Sequence, residues 1–291
     1  MKKIQLSDVL VIMIVLLLAI SSIVGLSSFN TTKSYMVLNQ YGERIQMWGN
    51  GTYSHDSYFK APIFIGTDVI ILVLVIPMTI VALIKEIKSR TMKSKLLLMS
   101  INGISLYYAA SIAFGVTYNA LLLIYIALFG LTFFAMISHI AEISRDELHD
   151  KSDQVTLTRG LSIFLFLSGV SLFVAWLPDI IPTYFTGNSL SLIEVYTTEI
   201  TYVLDMGIVS PIIFICLYQL KHQIEFGKIL LPVILKTCEL IGIMVMCQTL
   251  FQVLAGIYMP LPVLITKVGI FVILSAFALY YELKFYKGVE G

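Results

Sequence analysis

From Val9 to Ile20, and again from Val69 to Ile76, every residue is apolar, and runs of this kind recur along the whole chain. A hydrocarbon core about 30 Å thick takes roughly 20 residues of helix to cross. Only a helix or a closed barrel satisfies every backbone polar group there. A barrel strand alternates apolar and polar residues, whereas these runs are apolar on all faces, which selects helices. Eight runs are long enough, near 9–28, 65–84, 96–115, 120–140, 160–178, 203–220, 229–256 and 262–283. The expected fold class is all-α, a polytopic transmembrane helical bundle forming one integral membrane domain over residues 1–291. A second reading takes Lys2, Lys3 and the first run as a signal peptide ending near Ser27 and Ser28, which leaves seven spans.

Composition agrees, with 58% hydrophobic and 13% charged residues. A formal net charge of +1 supplies no electropositive surface, which argues against a nucleic-acid partner. Cys216, Cys238 and Cys247 all lie inside apolar runs, as packing residues rather than a disulfide framework or a paired metal motif. Basic residues set the orientation. Fourteen lie on one side, at the N-terminus, in the loops near 85–95, 145–159 and 221–228, and at Lys284 and Lys287; only Lys33, Arg44 and Lys60 lie on the other. Both termini are therefore expected to be cytoplasmic, with loops 29–64 and 179–202 external.

Loop lengths suggest a parallel pseudo-repeat of four spans each, with halves 1–150 and 151–291. The second span of each half carries an acid followed by a proline, Asp68 and Pro77, then Asp205 and Pro211. Each proline displaces the carbonyl four residues earlier, at Val73 and Gly207, so both helices should bend. Residues 189–202 read as an external amphipathic helix or a capping loop, and 41–57, with Trp48, Tyr53 and His55, as an aromatic interface belt or a lid.

An ionisable side chain inside a membrane needs a partner or a wet cavity. Asp68, Asp205 and Lys267 fall at similar shallow depth in the external half, as do Asn119, Gln248 and Gln252. Together they are expected to line a ligand- or ion-binding cavity, with Lys267 as counter-charge. The alternative is that the acids are solvated or cap helix N-termini. Lys236 and Glu239, three apart on one helical face, suit an ion pair or a proton path. His139 and Glu142, followed by Asp146 and His149, are weak metal candidates. Tyr107, Tyr108, Tyr118 and Tyr125 suit packing or a pocket wall. There is no Gly-x-Ser-x-Gly elbow, P-loop or His-Glu-x-x-His motif, so no catalytic residue and no cofactor is assigned.

Val203-Leu204-Asp205-Met206-Gly207 through Pro211, together with Lys221, Lys236, Gly66-Thr67-Asp68 and the turn from Phe114-Gly115 to Asn119, resembles a group of uncharacterised prokaryotic multi-pass membrane proteins. The resemblance implies a helical membrane fold in a bacterial or archaeal cytoplasmic membrane and carries no activity with it. The leading function is binding or passage of a small ligand, cation or proton through the external cavity, as a transporter or sensor. Its rivals are a non-catalytic membrane partner or assembly subunit, and then an intramembrane enzyme.

Overall fold

The computed structural model describes residues 4–143 and 156–289, apart from the side chains of Val263 and Lys267. Among the described residues, eight helices are long and apolar enough to cross a membrane, consistent with a multi-pass membrane protein. They are α1 (Leu6–Leu26), α2 (Ala61–Ser89), α3 (Met92–Gly115), α4 (Leu122–Ala141), α5 (Arg159–Thr186), α6 (Ile200–Lys221), α7 (Phe226–Leu254) and α8 (Leu264–Lys287). Each expected run corresponds to one helix.

Two helices overrun their expected ends. α2 continues through Lys85 and Lys88 until Arg90, which turns left-handed at φ 54°. The Arg90 guanidinium there binds Asp8 of α1 and Glu86, anchoring the end of α2 to the start of α1. α5 runs through Pro178 and Pro182 and stops only at Gly187, whose φ of 69° suits a residue without Cβ. The following loop is therefore short, and residues 189–199 take the capping-loop form, with helix resuming at Ile200.

α7 is the central helix, packed against α2, α3, α6 and α8. In both α3 and α7, 67% of the most apolar window is buried inside the protein, against 18% in α8. These two helices carry buried polar side chains, Asn102 and Ser105 on α3 and Lys236 and Glu239 on α7, which the protein interior rather than lipid must partner. Glycines set the closest approaches. A Cβ on Gly66 of α2 would stand 2.7 Å from the Gln248 Cα of α7, and one on Gly242 of α7 would stand 2.6 Å from the Phe271 carbonyl oxygen of α8.

The prolines of α2 and α6 are absorbed by wide π-helical turns at Ile71–Val75 and Asp205–Val209. The amide of Ile76 bonds the Ile71 carbonyl, and that of Ser210 bonds the Asp205 carbonyl, each five residues back. This register change makes room where Pro77 and Pro211 would otherwise strike the Val73 and Gly207 carbonyls. α8 has a third π segment, Leu264–Gly269, just after Pro262.

At the end of the bundle where α1 finishes, strands β1 (Tyr35–Leu38) and β2 (Arg44–Met47) pair antiparallel, Tyr35 opposite Met47. We call this the hairpin end, and the opposite one, bearing Asp8 and Arg90, the terminal end. Trp48 and Tyr53 follow β2 and are fully buried with Ala61, Ile65 and Ala255 in a small separate core. The indole N–H of Trp48 donates to the Ser28 carbonyl at 2.7 Å. An interface belt is thus replaced by a folded cap, because both polar aromatic tips find partners inside the protein.

Gly66→Ala should lower the melting temperature of the detergent-purified protein by several degrees, since the obstacle is backbone, while Gly130→Ala, with nothing within 4 Å of its Cβ, should leave it equal or higher. Equal shifts for the two variants would contradict the α2–α7 contact.

Candidate ligand cavity

A cavity of about 480 Å³ lies among the helices in the hairpin-end half. Asp205 of α6, Gln248 and Gln252 of α7 and Thr67 of α2 are in its wall, with Ile241 and Met244 of α7 deeper in. Tyr107, Tyr108, Trp176 and Phe271 supply much of the remaining surface, so a few polar atoms sit among aromatic faces.

Asp205 is 2% exposed, yet its two oxygens are met separately: the Tyr107 hydroxyl donates to Oδ1 at 2.9 Å and the Trp176 indole to Oδ2 at 2.8 Å. Trp176 is itself stacked on Tyr202 at 4.7 Å between ring centroids, which fixes the indole plane. Asp68 has the same kind of shell. Tyr108 donates to its Oδ1 at 2.6 Å and Tyr53 to its Oδ2 at 2.7 Å. Tyr108 also meets the Ser21 hydroxyl at 2.9 Å, tying α1 into this network.

The sequence reading put both acids into one cavity; the structure brings only some of that set together. Asp205, Gln248 and Gln252 line the cavity, whereas Asp68 does not and is enclosed by Tyr53, Tyr108 and Gly25. The physical reason is that Tyr107 and Tyr108 are consecutive on α3, so their side chains diverge by about 100° and serve acids on different sides. Among the described residues, neutral donors meet each carboxylate. The side chain of Lys267 lies outside the described residues. Asn119 caps the α3–α4 turn, accepting the Leu121 amide at 2.9 Å and donating to Thr117 at 3.2 Å, and does not line the cavity. Gln248 donates to Thr67 at 2.8 Å and Gln252 to the Phe59 carbonyl at 3.1 Å, so both amides also bridge α7 to the chain around α2.

Over the cavity, the 29–60 segment and the 187–199 loop interlock. Lys60 pairs with Glu199 and lies 4.0 Å from the centre of the Tyr196 ring. The acids Glu194 and Glu199, which have no base in their own loop, thus face one from the other loop. Ser57 donates to Glu194, and Asn39 and Gln40 reach the carbonyls of Glu194 and Tyr196. Fully buried Asp56 ties the cap to the bundle, its Oδ1 accepting the Tyr196 hydroxyl and the Thr117 amide, both at 2.9 Å. Burial raises its carboxyl to about 7 against the lowering effect of the Thr117 and Tyr196 bonds and of Lys60. Burial also raises Glu194, opposed by Ser57 and Lys60.

Toward the terminal end, Lys236 lies 2.6 Å from Glu239, as the spacing on α7 suggested, and 2.7 Å from Glu282 of α8. Glu282 was not legible as a site residue, because it sits among Tyr281, Leu283 and Lys284 at what reads as a helix end. His139 is buried, and its Nε2 has no hydrogen-bond partner among the described residues. Glu142 instead accepts the Ser7 hydroxyl at 3.0 Å. Among the described residues no group of three or more His, Cys, Asp or Glu is placed to hold a metal, while Asp146 and His149 lie outside them. The sequence offers Tyr107 and Tyr108 as packing or a pocket wall and Tyr53 as part of a belt or lid, but not their role as donors to the two acids, and it does not single out Trp176. Their signal was a polar aromatic tip near the depth of each acid.

In comparisons with known proteins, no family model, no curated protein and no solved structure matches the chain.

Asp56 carries a testable pH dependence. Its carboxyl is higher in the folded than in the unfolded state, so the folded chain holds the proton more tightly, and stability is lost as pH rises from about 4 to about 7. The melting temperature should fall by a few degrees between pH 5 and 8, and Asp56→Asn should flatten that slope. An unaltered slope in the variant would assign the pH dependence elsewhere.

Proposed function

We propose that the chain is a multi-pass protein of a prokaryotic cytoplasmic membrane which binds a small organic cation in this cavity, for transport or for sensing. The excess of Lys and Arg near the terminal end supports cytoplasmic termini and an external hairpin end. The observation that carries the ligand class is Asp205, a buried carboxylate in the wall of an aromatic-lined cavity. Among the described wall residues, Asp205 is held by the neutral donors Tyr107 and Trp176, and Lys60 is engaged with Glu199. An alkyl- or arylammonium gains from both the carboxylate and the ring faces. A hydrated inorganic cation would want a cage of oxygens that aromatic walls do not offer.

The probe is benzyltrimethylammonium, with neopentylbenzene as its uncharged isostere, and binding is followed by calorimetry on detergent-purified protein. The cation should bind saturably, and Asp205→Asn should weaken it by roughly 10- to 100-fold, the loss of one charged contact. Asn119→Ala should have no effect. Equal binding of the neutral isostere, or unchanged affinity in Asp205→Asn, would reject the proposal. The rival role, in which buried polar residues serve only to fix helix packing in an assembly subunit, requires that neither probe bind and that Asp205→Asn alter stability alone.

A further inference from the structure

Lys236, Glu239 and Glu282 are each under 9% exposed, and both carboxylates close on the same ammonium. Ionised, the three carry a net charge of −1 in an apolar interior, where an uncompensated ion costs several kcal/mol. Glu239 Oε2 lies 2.6 Å and Glu282 Oε2 2.7 Å from the Lys236 nitrogen, so one ammonium is shared by two carboxylates. Two carboxylate oxygens held within 2.6 and 2.7 Å of one nitrogen are at most about 5 Å apart.

We infer that Lys236, Glu239 and Glu282 form a binding site for one proton, shared between the two carboxylates. Uptake converts one carboxylate to the acid, whose O–H then donates to the other, and the net charge goes from −1 to zero. Facing the pair are Tyr286 of α8, whose hydroxyl reaches Ser100 of α3 at 3.3 Å, and the Ser275 hydroxyl, which donates to the Glu239 carbonyl at 2.6 Å.

The site's place relative to the cavity gives the proton a use. Glu239 is two residues, about 3 Å along the axis, from Ile241 in the cavity wall. Between them and α8 lies the tight contact at Gly242, against Ser275 and Phe271, the latter also a wall residue. A proton that changes the α7–α8 attraction therefore acts directly beside the cavity. This coupling rests on the cation-binding reading above; the proton site itself does not.

Infrared difference spectra of the purified protein between acid and alkaline pH test the site without any ligand. On an Asp56→Asn background, which removes the carboxyl already assigned near 7, the spectra should show a titrating carboxylic-acid carbonyl component that is lost when Glu282→Gln is added and retained when Asp205→Asn is added; should the Glu282→Gln protein not fold, Glu239→Gln is read the same way. That component retained in the Glu variants, or moving with Na⁺ at fixed pH, would overturn the assignment. In the second arm, benzyltrimethylammonium affinity should change about tenfold across that titration in wild type and stay flat in Glu282→Gln. Flat affinity in wild type overturns the coupling, and no binding at any pH overturns the cavity reading while the infrared result still decides the proton site.

Discussion

A polar atom in the interior of this bundle has no water to fall back on, so its partner must come from the chain itself. The structure meets that requirement at Asp68 and Asp205 with neutral donors. One phenol from α3 goes to each acid, and a second aromatic donor, Tyr53 or Trp176, takes the remaining oxygen. Both helices carrying the acids are thereby bound to α3, one of the two most buried helices. α1 joins through Ser21 and α5 through Trp176, so the placement of five helices traces back to the hydrogen-bonding needs of two carboxylates.

The acids share a local setting as well as a shell. Asp68 precedes the π turn of α2 by three residues, and Asp205 begins that of α6. In both, a proline follows within two residues of the turn's end. A π turn holds one more residue than an α turn, so it re-aims side chains on either side of it and loosens the backbone bonding of the helix. The wide turns thus combine two tasks, accommodating a proline and lodging near an acid that has to face inward.

Much of the architecture could be read from the chain directly. Eight apolar runs are a one-dimensional signal, set by the thickness of a bilayer and the rise of a helix, and each corresponds to a helix here. The Lys236–Glu239 pair was equally legible, because positions three apart on a helix must meet. Asp205, Gln248 and Gln252 were placed by depth alone, and depth suffices for a cavity that all three line. It does not suffice for Asp68, because depth carries no azimuth, and the divergence of Tyr107 from Tyr108 sends the acids to different neighbours. Glu282 and the Lys60–Glu199 contact depend on segments far apart in the chain. No local pattern announces such pairs. The overrun of α5 through two prolines has a similar origin, since packing decides whether a proline-bearing helix stops.

The pairing of adjacent tyrosines with separate acids has a mechanical side. If α3 swivelled about its long axis by a few tens of degrees, both phenols would be pulled from their seats in one stroke. Asp68, in the first half of the chain, and Asp205, in the second, would lose a ligand simultaneously. Motion on one flank of that helix cannot stay private to it: the bundle is geared, and α3 is the common axle.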